Sequence, residues 1–394
     1  MTSHTTERFG KLFRDFRRSE ADMNNITRRD FMLAASAATA LAALPPSKAI
    51  ATGGQAAAKS TSGVDPMAIV NPELRPALQS MLKTFPLPKG DVTIAQLLAW
   101  RKMDLGRKRL PQPSVAERSV PGRAGAPDAR VFIINAKPGT RRPAVLHTHG
   151  GGYVLGSAAG DVTDLQLLAQ ALDCVIVTVE YRLAPETPFP GSLEDNYAAL
   201  KWLHANADEF GADRSRIALA GESAGGGHAA MLAIAARDRG EVPVMFQSLV
   251  YPMLDDRTGS TRKVPAHIGS FVWTAEYNRL GWTALLGRAA GGKDAPAGAV
   301  PSRVENLAGL APAWIGVGSI DLFVDEDVEY ARRLIEAGVA TELLVAPGAF
   351  HGFDAIAQSA SISKQFKLAR YNALARAFGV QQLEAVPVPA TANR

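Results

Sequence analysis

The stretch that decides the fold is Arg216-Ile217-Ala218-Leu219-Ala220-Gly221-Glu222-Ser223-Ala224-Gly225. An apolar run leads into a Gly-x-Ser-x-Gly turn, and the Gly- and Ala-rich segment 226–232 continues as a helix. A strand, this turn and a helix form a nucleophile elbow, which exposes the serine hydroxyl at the positive end of the helix dipole. The turn is strained and crowded, and a side chain at Gly221 or Gly225 would collide with neighbouring backbone. The sequence therefore predicts Ser223 as a nucleophile; the alternative is a plain glycine-rich turn.

Short apolar runs recur on both sides of this elbow and alternate with longer amphipathic segments. Strands that alternate with helices predict a mostly parallel sheet with helices on both faces. In such a sheet, ligands bind outside the carboxyl ends of the strands, so motifs that follow strands converge in space. The predicted strands are Val131–Ile134, Ala144–Leu146, Val175–Val179, Ile217–Ala220, Phe246–Val250, Trp314–Val317 and Leu343–Val345.

A second motif, His149-Gly150-Gly151-Gly152, follows the apolar run that ends near Thr148. Consecutive glycines let backbone N–H groups approach a ligand closely, and an HGGG-type loop beside a nucleophile elbow forms part of an oxyanion hole. We expect the amides of Gly151, Gly152 and Ala224 to hold the oxyanion. We expect His149 to orient the loop rather than to act as a base.

Two further strand ends carry the groups that a serine nucleophile needs. Asp321 is the first acid after the run Trp314–Val317, and Asp325 is the alternative to it further along. His351 follows the last predicted strand, whereas His147, His204, His228 and His267 are interpreted as ordinary core or surface residues. The order serine, aspartate, histidine differs from that of chymotrypsin-like and subtilisin-like enzymes and is the order of α/β-hydrolases. The predicted triad is Ser223, Asp321 and His351.

Together these motifs resemble the hormone-sensitive-lipase-like family of bacterial esterases. The elbow 221–226 is similar to that family's G-[DE]-S-A-G-G, and the segments 149–152, 181–190 and 351–353 also follow its pattern. Leu322-Phe323 departs from the Pro-Leu that often follows the acid in that family. The resemblance covers roughly 131–377. It implies an α/β-hydrolase fold with a helical cap, carboxylesterase activity, and no organic cofactor or metal.

The domain prediction follows from the same patterns. Residues 65–115 have proline-punctuated helical periodicity and are predicted to form cap helices, and 116–394 the catalytic domain. The region 255–300 contains aromatic residues without a strand-like run and is interpreted as helical cover near the site.

The N-terminal residues 1–51 carry a predicted export signal. Arg28-Arg29 precedes an apolar stretch that ends at Leu44, and Ala49-Ile50-Ala51 resembles a cleavage site. This pattern is typical of a twin-arginine signal, so we expect the Tat export machinery as a partner and a periplasmic or secreted location. The apolar stretch is too short to span a bilayer, and no stable membrane anchor is predicted. Translation could begin at Met1 or at Met23, and 52–64 is predicted to be a linker.

Composition excludes some classes of protein function. The formal charge of +5 falls to +2 without residues 1–51, since these hold eight basic and five acidic side chains of the 43 and 38 in the chain. That balance argues against a nucleic-acid binder. The one cysteine, Cys174, lies in an apolar run and is interpreted as a core thiol.

The sequence leaves several functions open. An ester with a short-to-medium acyl group is the expected substrate, on the basis of the aromatic residues in 255–300. An amidase or a lactonase would use the same triad. A ligand-binding protein without enzymatic activity could have the same fold, because a fold does not determine a function.

Overall fold

The computed structural model describes residues 64–85, 92–101 and 108–387. Within these ranges, eight strands form one sheet in the order β1-β2-β4-β3-β5-β6-β7-β8. The strands are β1 (Val115–Val120), β2 (Ala129–Ile134), β3 (Arg142–Thr148), β4 (Val175–Glu180), β5 (Ala212–Glu222), β6 (Phe246–Val250), β7 (Ala313–Gly318) and β8 (Thr341–Ala346).

The direction of the strands brings the predicted motifs to one edge. The pairs β1–β2 and β2–β4 are antiparallel, whereas all the pairs formed among β3 to β8 are parallel. The carboxyl ends of β3, β5, β7 and β8 therefore point the same way, and the loops that follow them meet above the sheet.

Helices cover both faces of the sheet. They are α1 (Pro66–Ile69), α2 (Arg75–Thr84), α3 (Ile94–Trp100), α4 (Ala158–Leu172), α5 (Gly191–Ala205), α6 (Ala207–Phe210), α7 (Ala224–Arg239), α8 (Ala275–Leu286), α9 (Val324–Glu336), α10 (Phe353–Ile356) and α11 (Ser361–Phe378). One hydrophobic core lies between the sheet and α5, α7 and α9, and a second lies between the sheet and α2, α4 and α11. The predicted fold class is confirmed.

Local sequence accounts for these elements. Strand β4 opens with Val175-Ile176-Val177-Thr178-Val179, a β-branched run that is buried on both faces, as expected for a central strand. Helix α11 ends at Gly379, whose φ of 65° gives the left-handed cap that glycine adopts without steric cost. Each of the seven predicted strands lies within an observed one.

Two expectations need correction. Strand β1 was not predicted, because Glu117, Arg118 and Ser119 interrupt its apolar pattern; it is an edge strand, and edge strands commonly carry exposed polar side chains. The region 255–300 contains one α-helix, α8, and is otherwise mostly turns, so the prediction of helical cover holds only for 275–286. Positive φ values at Gly259 and Gly269 and the presence of Pro265 explain the turns.

The predicted signal 1–51 and almost all of the predicted linker 52–64 lie outside the described residues. No helix among the described residues is long and apolar enough to cross a membrane. The division into a cap of 65–115 and a catalytic domain of 116–394 stays a prediction.

Candidate active site

Ser223, His351 and Asp321 form a continuous hydrogen-bonded chain. His351 Nε2 lies 2.9 Å from Ser223 Oγ, and His351 Nδ1 lies 2.8 Å from Asp321 Oδ2. All three side chains are almost fully buried, at 3%, 1% and 0% exposure. With the Nδ1 proton donated to Asp321, Nε2 is left to accept the serine proton. The arrangement can activate a hydroxyl as a nucleophile.

The elbow holds Ser223 in a strained backbone conformation. Ser223 has a φ of 57°, and α7 begins at the next residue. A Cβ on Gly221 would lie 2.4 Å from the carbonyl carbon and oxygen of Gly225, and one on Gly225 would lie 2.0 Å from the carbonyl oxygen of Thr148. Both positions therefore require glycine, as the sequence predicts for a crowded turn. The Ser223 amide donates to the Val250 carbonyl at 2.9 Å, which ties the elbow to β6.

The predicted oxyanion donors lie next to the elbow. A Cβ on Gly150 would be 3.0 Å from the Glu222 carbonyl oxygen, so the glycine loop contacts the residue before the nucleophile. In the part of the chain that the structure describes, nothing accepts a hydrogen bond from the amides of Gly151, Gly152 or Ala224. Unpaired donors beside a serine nucleophile are what an oxyanion needs.

His149 makes contacts that hold this glycine loop in place. Its Nδ1 lies 2.8 Å from the Gly150 carbonyl, and its ring stacks on Tyr181 with centroids 4.1 Å apart. The Tyr181 hydroxyl donates to the His149 carbonyl at 2.7 Å. Burial lowers the pKa of His149 to about 4. A neutral, stacked ring that contacts its own loop fits an orienting role rather than that of a base.

Glu222, the motif residue before the nucleophile, ties several elements together. Its carboxylate lies 2.8 Å from His147 Nε2 and 2.6 Å from Arg370 Nη2. Burial alone would raise the pKa of Glu222, but Arg370 and His147 outweigh it and hold the pKa well below its usual range. His147 Nδ1 contacts Thr178 Oγ1 at 2.9 Å. Glu222 thus connects the elbow directly to β3 and α11, and through His147 to β4.

Part of this cluster also belongs to the one group of described residues whose side chains are close enough to bind a metal ion. Ligand-type atoms of His147, Asp161 and Glu222 lie within 4.8 Å of one another. His147 and Glu222 are already bonded to each other, to Thr178 and to Arg370. Protein groups therefore account for these two potential ligands.

The structure also separates the two candidate acids. Asp321 contacts His351, whereas the side chain of Asp325 is 72% exposed and pairs with Arg262 at 3.3 Å. Glu326 is buried and accepts hydrogen bonds from the amides of Leu254 and Asp255 at 2.7 and 3.2 Å. Asp325 and Glu326 lie in the first turn of α9, where acids interact favourably with the helix dipole.

Tyr251 and Arg370 near the site were not predicted from the sequence, and Trp273 was expected there only as one of the aromatic residues of 255–300. The Tyr251 ring packs against His351 with centroids 4.6 Å apart, and its hydroxyl donates to Asp354. Tyr251 is the first residue after β6, so the strand-end rule that found the triad could have found it. Trp273 and Arg370 follow no strand, and no local pattern identifies them.

The predicted cap segments do contact the surroundings of the site. The Trp100 ring of α3 lies 6.2 Å from that of Tyr277 in α8, and the Val92 amide donates to Glu276 at 2.6 Å. Ahead of α2, the Asn71 amide donates to the carbonyl of Gly348, three residues before His351.

Comparison with known proteins agrees with this geometry. Residues 145–355 match the α/β-hydrolase fold family. The chain is 35% identical to esterase LipI of Mycobacterium tuberculosis over 298 residues, which cover 74% of this chain and 91% of that protein. It is 34% identical to an ethyl acetate hydrolase of Pseudomonas putida over 223 residues, which cover 55% of this chain and 67% of that protein. A structure titled bacterial heroin esterase superposes with a TM-score of 0.68 at 35% identity, covering 80% of this chain and 99% of that one. The chain belongs to the hormone-sensitive-lipase-like esterase family of the α/β-hydrolase superfamily.

Proposed function

We propose that the protein hydrolyses carboxylic esters of short-to-medium acyl chains through an acyl-enzyme on Ser223. The observation that carries the proposal is the chain of contacts from Asp321 through His351 to Ser223, at 2.8 and 2.9 Å, beside three amides from which no described residue accepts a hydrogen bond. The esterase names of the relatives support the same class of reaction. A purely ligand-binding role would leave this chain of contacts without a purpose.

In the proposed mechanism, His351 accepts the Ser223 proton as the hydroxyl oxygen attacks the ester carbonyl carbon. The amides of Gly151, Gly152 and Ala224 stabilise the oxyanion, and each such donor contributes about 3 kcal/mol in comparable enzymes. His351 then protonates the departing alcohol, which leaves an acyl group on Ser223. A water molecule gives a proton to His351, attacks this acyl group and releases the acid, and the proton returns to Ser223.

The acyl range is supported by the site's surroundings and by one relative. Trp273 and Tyr251 are buried beside His351, so aromatic side chains limit the space around the reacting groups. The Pseudomonas relative is named for ethyl acetate, whose acyl group has two carbons.

The test is hydrolysis of p-nitrophenyl esters from acetate to palmitate by the mature protein and by Ser223→Ala. We expect turnover that is highest on short chains and that falls by at least about 10³-fold in the variant, since removal of a serine nucleophile leaves little more than binding and the oxyanion hole. Undiminished turnover in Ser223→Ala would refute the nucleophile. A matched amide series that reacts faster than the esters would instead identify an amidase.

We also propose that the protein is exported by the twin-arginine route, on the basis of Arg28-Arg29 and the apolar stretch after it. The experiment is fractionation of cells that express the full chain or its Arg28→Lys/Arg29→Lys variant. Mature protein outside the cytoplasm for the natural chain, and uncleaved precursor inside for the variant, is the expected result. Equal export of both would refute this route.

A further inference from the structure

A strained turn over the site begins at Phe271. The Trp273 amide donates to the Phe271 carbonyl at 2.7 Å, which closes a three-residue turn around Val272. Val272 has a φ of 64°, a conformation that is a genuine outlier for a β-branched residue. Such strain persists only where the surrounding structure imposes it, and it is concentrated at functional sites.

This turn places the Trp273 ring against the predicted oxyanion loop. A Cβ added to Gly152 would lie 2.0 Å from Cη2 and 2.4 Å from Cζ2 of the indole, so the ring edge fills the space beside that glycine. The centroids of the Trp273 and His351 rings are 6.5 Å apart. The indole therefore lies close to both a group proposed to hold the oxyanion and the group proposed to protonate the leaving alcohol.

The ring is fixed in this position. The indole Nε1 donates to Asn278 Oδ1 at 3.3 Å, and Asn278 Nδ2 donates to the Thr258 carbonyl at 2.8 Å. The Tyr277 ring packs against it, with centroids 5.9 Å apart. Trp273 is 1% exposed, as deep as His351 itself.

We propose that Trp273 is a specificity-determining residue, whose ring limits the bulk that an ester can place between the oxyanion loop and His351. This inference rests on the ester hydrolysis proposed above. A rigid, hydrogen-bonded indole cannot move aside for a longer chain as a flexible aliphatic side chain can. Since one methylene in an apolar pocket changes kcat/KM by about 10-fold or more, a few ångströms of space decide the preferred substrate.

The experiment compares Trp273→Leu and Trp273→Phe with the natural protein on two substrate series. One series varies the acyl chain of p-nitrophenyl esters from acetate to decanoate, and the other varies the alcohol of acetate esters. We expect the ratio of kcat/KM for octanoate to that for acetate, or the corresponding ratio in the alcohol series, to rise by at least about 10-fold in Trp273→Leu. Trp273→Phe should raise this ratio less than Trp273→Leu does. The series that responds identifies the half of the ester that meets the ring.

Trp314→Leu is the matched control. Trp314 is also fully buried, but it lies in β7 and packs against Phe366 of α11, in the core away from Trp273. This control should lose stability to a similar extent and keep the natural chain-length profile. Thermal unfolding of each variant establishes that it is folded. If Trp273→Leu does not fold, the comparison is made with Trp273→Phe alone.

Two results would overturn the inference, and they are distinguishable. If the folded Trp273 variants lose activity equally on every ester, the ring has only a structural role. The proposed ester hydrolysis by the natural protein would be unaffected by that result. A natural protein inactive on every ester would refute the proposed function itself, and the specificity role with it.

Discussion

Asp321 and Asp327 lie six residues apart, and both are fully buried, yet their surroundings differ completely. Asp321 accepts hydrogen bonds from His351 Nδ1 at 2.8 Å and from the Phe323 amide at 3.0 Å. Asp327, in the first turn of α9, has no hydrogen-bond partner for either carboxylate oxygen among the described residues. Burial raises the pKa of Asp327 well above its ordinary value of 3.8, and the nearby Glu326 and Asp321 add to this.

The comparison teaches that burial of an acid does not by itself indicate a catalytic role. A buried carboxylate is costly unless other groups solvate it, and Asp321 is solvated by a ring that becomes positive during the proposed reaction. Asp327 lies in the same low-dielectric surroundings without a hydrogen-bond partner among the described residues, and burial raises its pKa. One acid is arranged to act on its neighbour, whereas burial favours the neutral form of the other.

The largest effect is expected from Asp321→Asn. Asparagine keeps the shape of the side chain but can stabilise the wrong tautomer of His351, and it removes the charge that stabilises the imidazolium. We expect kcat on p-nitrophenyl acetate to fall by about 10⁴-fold, which corresponds to about 5 kcal/mol in the activation barrier. Steady-state kinetics at pH 8 measures it, and circular dichroism establishes that the variant is folded.

Asp325→Asn is the control for that variant. Its carboxylate is 72% exposed and pairs with the half-buried Arg262, and ion pairs of exposed groups contribute little. We expect its kcat to stay within about twofold of the natural value, since no contact of the Asp325 side chain among the described residues involves His351. A large loss in Asp325→Asn together with a small one in Asp321→Asn would exchange the roles of the two acids.

Much of this site was open to prediction because parallel strands end at one edge. Ser223, Asp321 and His351 each follow a strand whose apolar run is visible in the sequence, and the topology then brings them together. The choice of Asp321 over Asp325 followed from the same rule, since the first acid after a strand lies nearest the sheet.

Other features depend on packing between segments that are remote in the chain. Arg370 lies on α11 and reaches Glu222 only because that helix packs across the sheet. Trp273 reaches Gly152 through a turn at Val272 that no propensity favours. Strand β1 was missed because edge strands lack the apolar run that identifies central ones.

The pKa of Asp327 makes its contribution to stability depend on pH. Because this pKa is higher in the folded chain than in the unfolded one, unfolding releases a proton at pH values between the two pKa values. The stability associated with the neutral acid is therefore present below the unfolded pKa and is lost as the pH rises. The loss is about 1.4 kcal/mol per pH unit until the folded-state pKa is reached.

The smallest effect, and of opposite sign, is expected from Asp327→Asn. Asparagine has the same shape and cannot ionise, so the variant escapes the loss of stability at higher pH. We expect the free energy of unfolding to rise by about 1–3 kcal/mol at pH 8, with a smaller gain at pH 5 and kcat within about twofold. Urea denaturation at both values measures the gain. A variant less stable than the natural chain at pH 8 would mean that the Asp327 carboxylate is solvated after all, and the contrast with Asp321 would fail.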